Sequence, residues 1–233
     1  MSTSSKTDEL PPAERPYIHE MVVVHRVFRR ESALLPRLVR AVPDGGTARA
    51  KQVAEHLRAY VGGLHHHHAL EDELVWPLLH ARAAQDDALV SRMEAQHHRI
   101  DESLLVVADW TPAWERTADR IAGEELALAL DAHRTALLEH LDDEERLALP
   151  LVAENLTVAE WDLVGTRGLE EVPRNQIFIA LGALLEEATA EESAHFLGKA
   201  PLIGRLLWKV VGRRQYAAAR RAIRGPLDGG PDA

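Results

Sequence analysis

Apolar residues recur along this chain at alternating spacings of three and four, the pattern of a helix with one buried stripe. One stripe runs through Val53, Leu57, Tyr60, Leu64, His67, Glu71, Leu74 and Leu78. A second, displaced by 73 residues, runs through Leu126, Leu130, His133, Leu137, His140, Glu144, Leu147 and Leu151. Equivalent stripes pass through Ile18, Met21, His25, Phe28, Ser32, Leu35 and Val39, and through Val90, Met93, His97, Ile100, Leu104 and Val107. Four helices of one design are therefore expected. Breakers separate them: Pro43 with Gly45 and Gly46, then Gln85 to Asp87, then Trp110 to Trp114 around Pro112. Such short connections favour antiparallel neighbours, which predicts an all-α, up-down-up-down four-helix bundle. Pro36 lies deep inside the first helix and is expected to kink or end it, and Pro77 and Pro150 are expected to bend the last turns of the second and fourth.

The stripes are not purely apolar, and their polar members repeat. His67 and Glu71, and again His140 and Glu144, stand four residues apart and so share one helix face. In an up-down-up-down bundle the second and fourth helices run parallel, which brings these two pairs to one height. His25 and His97 then come from the other two helices. Bridging carboxylates can neutralise two cations, and neutral imidazoles can fill terminal positions, so this set fits a pair of divalent metals. His97 and His98 are about 100° apart on a helix, so one of them faces the centre. The 73-residue repeat favours His98, whereas the apolar stripe favours His97, which is the assignment adopted. In the run His65 to His68, His67 pairs with Glu71; the others are expected at the surface or just outside the centre, although His66 or His68 could add a ligand. Tyr60 and His133 occupy equivalent positions about 10 Å from the ligand layer. They are expected either to bond each other or to gate and relay protons and electrons, with Phe28, Leu64, Ile100 and Leu137 forming an apolar lid between them and the metals.

Composition narrows the chemistry. There is no cysteine among 233 residues, so thiolate sites and disulfides are excluded and the 13 histidines and the carboxylates remain as ligands. A net charge of -10 argues against nucleic acid as a partner. Residues 1–16 lack the apolar core of a signal peptide and are expected to be a disordered leader in a cytoplasmic protein. Residues 17–153 would form the bundle, and 154–225 a helical extension without a metal-ligand pair. Thr157 to Glu160 and Thr189 to Glu192 have the form of capping boxes, Pro173 and Pro201 can open further helices, and His195 is isolated. The stretch from Lys199 to Arg224 is basic and amphipathic; docking on its own domain is expected, with contact to an anionic membrane or to another protein as the alternative. Residues 226–233 are expected to be a flexible tail.

On these residues the chain resembles the hemerythrin-like, HHE cation-binding family. The matching positions are His25, then His67 and Glu71 within HHHHALEDELVWP, the His pair in EAQHHRID, and His140 and Glu144 within HLDDEERLALP. The resemblance implies a bundle holding two iron ions, with Glu71 and Glu144 bridging, the histidines terminal, and an open iron position that meets a small oxidant. Tyr60, His133 and His98 are then placed as groups near the bound cofactor. Unlike the oxygen-carrying members, the chain has Met93 and Asp101 one turn either side of His97, so the centre is expected to be one His short. That implies binding or reduction of oxygen, peroxide or nitric oxide in sensing or detoxification, the small-molecule oxidant being the partner. The alternative is an iron or divalent-metal module that signals through its C-terminal helices without turnover.

Overall fold

The computed structural model describes residues 15–228. The expected leader and tail fall largely outside that range. Among the described residues the chain is all-α, with no strand. Helices α1 (His19–Arg40), α2 (Thr47–Leu74), α3 (Trp76–Arg82), α4 (Asp87–Thr117) and α5 (Arg120–Asp143) build the bundle. α1 packs on α2 and α5, and α4 packs on α2 and α5, so helices successive in the chain are adjacent around a ring. That is the up-down-up-down arrangement, with α2 and α5 diagonal and parallel across the centre.

Two of the expected breaks differ. Pro36 sits inside an uninterrupted α1, where it is buried among Leu34, Leu35 and Leu38, and tertiary packing outweighs its missing N–H. Pro112 likewise does not end α4, which continues to Thr117 and stops at Ala118 in the left-handed region (φ 48°). The reason is Trp114, which is 1% exposed and seats against Gly123 of α5. A Cβ on Gly123 would lie 2.9 Å from the indole Nε1, so only glycine lets the helices close around that ring.

The prolines beside the ligand pairs do perturb their helices. α2 is interrupted at Val75 (φ -106°, ψ -59°) just before Pro77, and α5 passes at Glu144–Ala148 into a π turn just before Pro150. In that turn the Leu149 N–H donates to the Glu144 carbonyl, five residues back. Each perturbation shifts the buried stripe by one position. Beyond the ligands the buried residues are Val75, Trp76 and Leu79, and Ala148, Leu149 and Val152, rather than Leu74, Leu78, Leu147 and Leu151.

The remaining helices, α6 (Leu149–Asn155), α7 (Val158–Glu170), α8 (Ile177–Glu187), α9 (Ala190–Lys199), α10 (Leu202–Leu207) and α11 (Arg213–Asp228), follow the bundle. Both capping boxes form, at the starts of α7 and α9. α7 lies against α2, while α8 and α11 lie against α1. Ion pairs join these helices to α1: Arg26 to Glu192, Arg30 to Glu186, and Arg224 to the buried Glu31, which also meets His56. His195 is not isolated, since its Nε2 lies 2.6 Å from Glu20 of α1.

Candidate metal centre

The two apolar clusters of the bundle leave a polar layer between them. One cluster holds Phe28, Tyr60, Leu64, Ile100 and Leu137; the other holds Met21, Trp76, Met93, Leu149 and Trp161. In the layer, ligand atoms of His25, His67, Glu71 and Glu144 lie within 4.8 Å of one another, and so do those of His68, Glu71, His97 and His140. Glu71 belongs to both groups. Its Oε1 is 3.3 Å from His67 Nε2 and its Oε2 is 3.3 Å from His97 Nε2. Glu144 Oε2 is 3.3 Å from His25 Nε2 and 3.4 Å from His140 Nε2, so it too faces both groups. One position is thus offered three imidazoles and a carboxylate, the other two imidazoles and two carboxylates.

Helix geometry makes this possible. α1, α2, α4 and α5 each contribute at one height, and the i, i+4 spacing sets each Glu one turn from its His. The π turn begins at Glu144, which fixes the exit of the chain at the ligand itself.

The histidines are aimed by their outer nitrogens. His25 Nδ1 lies 3.0 Å from Glu145, His97 Nδ1 lies 2.8 Å from Asp72, and His140 Nδ1 lies 3.3 Å from the Gln96 side-chain oxygen. Gln96 in turn donates to Asp143 at 2.9 Å. Each of these bonds holds a ring so that Nε2 points inward, which is how carboxylates orient metal-ligating imidazoles.

Of the inner atoms, His97 Nε2 and His140 Nε2 lie within hydrogen-bond reach of each other at 3.3 Å, while most have no partner. His25 Nε2, His67 Nε2, both ring nitrogens of His68, both oxygens of Glu71 and Glu144 Oε2 are buried without a hydrogen bond. Buried polar atoms are rarely left in this condition, and such atoms from five side chains converging on two points fit a pair of cations. Their electrostatics agree. Burial and the neighbouring Glu144 push the Glu71 carboxyl up, whereas Glu144, despite a burial that opposes it, is held down by His25 and His140. Without a cation, two facing carboxylates cannot both be charged. Burial, opposed and outweighed by Glu144 and Glu145, leaves His25 raised to about 9. The same contest at His97, with Asp72 and Glu71 prevailing, ends at about 10. Cations would displace the protons held there.

His98 is exposed on the outer face of α4, so the apolar stripe rather than the 73-residue repeat locates the inward residue. The repeat misleads because His140 lies 43 positions after His97 whereas His67 lies 42 after His25, a difference of one residue between the two helix pairs. His68, expected outside the centre, is buried (3% exposed) and stacks on His97 with ring centroids 4.0 Å apart. Helix geometry is compatible with this: at 100° per residue His68 lies within about 40° of Leu57 and Leu64 on the buried face of α2. With His68 the donor set holds five imidazoles, and the expected shortage of one His is removed. His65 is exposed, and His66 pairs with Glu171 at 3.0 Å.

Tyr60 and His133 are not donors to either group. The Tyr60 hydroxyl donates to His133 Nε2 at 2.7 Å, His133 Nδ1 donates to Ser103 Oγ at 2.9 Å, and Ser103 donates to the Ile100 carbonyl at 2.6 Å. Burial drops the His133 pKa to about 4, so the ring is neutral in this chain of bonds. Phe28 lies between Tyr60 and His67, its ring centroid 6.2 Å from one and 5.1 Å from the other.

Among the described residues no helix is long and apolar enough to cross a membrane. No curated protein and no solved structure matches the chain significantly. The sequence profile of the hemerythrin HHE cation binding domain matches residues 17–152, the span that supplies every donor of the two groups. With that match over more than half its length, the chain belongs to the hemerythrin HHE cation-binding family.

Proposed function

We propose that the centre holds a pair of iron ions and that the protein binds or reduces a small oxidant, namely oxygen, peroxide or nitric oxide, in sensing or detoxification. The observation that supports this reading most is the sharing of Glu71 and Glu144 between two groups rich in imidazole, because bridged pairs of cations with neutral terminal ligands suit redox chemistry on small molecules. When bound, the irons would supply the electrons. The chain supplies the rest. His25, His67, His68, His97 and His140 would be terminal ligands, Glu71 and Glu144 bridges, and Asp72, Glu145 and Gln96 hold the imidazole rings in place. The two apolar clusters exclude water on either side. The His67 side chain is 10% exposed against at most 4% for those of His25, Glu71, His97, His140 and Glu144, and it marks the side from which a small oxidant would approach.

Metal analysis and a visible spectrum on protein purified without added metal test this. Iron at two per chain with ferric absorption is expected; a single zinc overturns it.

A second reading, a metal module that signals without turnover, is favoured by one feature of α1. This helix carries His25 on its inner face and Arg26, Arg30 and Glu31, which hold the C-terminal helices, on its outer face. Sustained consumption of peroxide by substoichiometric protein supports the enzyme, and its absence together with metal-dependent ordering of α8 to α11 supports the module.

A further inference from the structure

The helical run from Leu202 to Asp228 faces two ways at its start. Trp208 and Gly212 turn inward onto Phe178, and a Cβ on Gly212 would fall 2.4 Å from the indole ring. On the opposite face Leu202, Ile203, Leu206, Leu207, Val210 and Val211 are 79, 73, 60, 47, 56 and 47% exposed. These six recur every four residues. On an unbroken α-helix that repeat would drift about 40° per step. The wider π turn at Trp208–Gly212 offsets part of this drift, so the six side chains stay on one broad exposed face about 14 Å long. Contiguous exposed apolar surface of this kind marks an interaction site.

Charge identifies the occupant. Between Lys199 and Arg224 the sequence places eight Lys or Arg and no Asp or Glu, in a chain whose net charge is -10, and of these Lys199, Arg220 and Arg224 pair with Glu20, Asp162, Glu186 and Glu31 elsewhere in the fold. Lys209, Arg213 and Arg214 are exposed beside the stripe, and Arg205 caps the carbonyls of Gly198 and Ala200 at its start. The stripe is wholly aliphatic and stands on a convex helix. Protein interfaces are instead enriched in aromatic residues and methionine and depleted in lysine. We infer that the Leu202–Val211 face, with its flanking cations, docks on an anionic lipid surface. The aliphatic side chains enter the acyl boundary while Lys209, Arg213 and Arg214 meet headgroup phosphates. The bundle then rides on the membrane surface with the metal centre outside the lipid.

Co-sedimentation of the full-length chain with vesicles tests this. Binding is expected to vesicles of phosphatidylglycerol mixed with phosphatidylcholine, to be weak to phosphatidylcholine alone, and to fall as salt is raised. The double variant Ile203→Glu/Leu206→Glu alters only exposed side chains and is expected to abolish sedimentation with vesicles. Lys209→Glu/Arg214→Glu is expected to weaken it about tenfold or more. Both should keep wild-type thermal unfolding and metal content, which separates failure here from failure of the proposed metal chemistry. No binding to anionic vesicles, or equal binding to both compositions, overturns the inference. So does concentration-dependent dimerisation that Ile203→Glu/Leu206→Glu abolishes without any vesicle binding, since the stripe would then be a contact between copies of the chain.

Discussion

His68 lies on His97 with the two rings 15° from parallel, and both belong to the same group of converging ligand atoms. The stacking sets His68 beside the centre, with His67, although His65 and His66 of the same run point elsewhere. His68→Ala is expected to lower metal content by about half by emptying one of two positions. His98→Ala, on the outer face, leaves it unchanged. Metal analysis on the two purified variants distinguishes them, and equal content in both would return His68 to the periphery.

Asp72 offers no ligand atom but fixes the ring of His97 through a 2.8 Å bond. Asp72→Asn is expected to weaken metal retention about 10- to 100-fold while leaving the fold intact. Competition with a chelator reads the effect, and an unchanged midpoint would show that the ring needs no such anchor.

Tyr60→Phe removes the hydroxyl donated to His133 Nε2 and strands a buried acceptor. A loss of about 1–3 kcal/mol in unfolding free energy is expected, with metal content unchanged. If the reaction with peroxide also keeps its rate, the pair is structural; a changed rate at full metal content would make it part of the route into the centre.

Gly62 and Gly63 lie in the middle of α2, one turn before the ligands, and a Cβ at either would meet nothing within 4 Å. Glycine there costs helix stability without serving any packing. Gly62→Ala is expected to stabilise by about 1 kcal/mol, or about 2–4 °C in Tm. A drop in Tm would mean that this turn must flex.

Glu31 fastens α11 to the bundle, and its carboxyl, against a burial that would raise it, is held at about 2 by His56, Arg30 and Arg224. A carboxylate with a depressed folded value stabilises above its unfolded pKa of about 4.5, and that contribution is lost as pH falls toward 2. The amount at stake is on the order of 3 kcal/mol. Stability measured by denaturant titration should therefore fall between pH 4.5 and 2 more steeply in the wild type than in Glu31→Gln; parallel curves would contradict this.

The bundle and most of its polar layer were legible in the sequence because each depends on a short-range period. His67 with Glu71 and His140 with Glu144 are set by one helical turn, and His25 and His97 by the same stripe as their apolar neighbours. What escaped depends on longer-range packing. Pro112 reads locally as a breaker, yet the pocket for Trp114 carries α4 past it. His68 is one of four identical letters, and only the approach of α4 decides which of them are inside. The tethers from α1 to the last helices, such as Arg224 to Glu31, join residues far apart in the chain and leave no periodic trace.

The one-residue slip at Val75 and at Glu144–Ala148 has a further consequence. Because it falls at the ligands on two diagonal helices, the hydrophobic phase on one side of the centre is set independently of the phase on the other. The molecule is in effect two short bundles spliced at the layer of imidazoles. Hydrogen exchange should resolve them as separate cooperative blocks once the splice is stripped of cations, with the block around Trp76 and Trp161 opening without the block around Leu57 and Leu130.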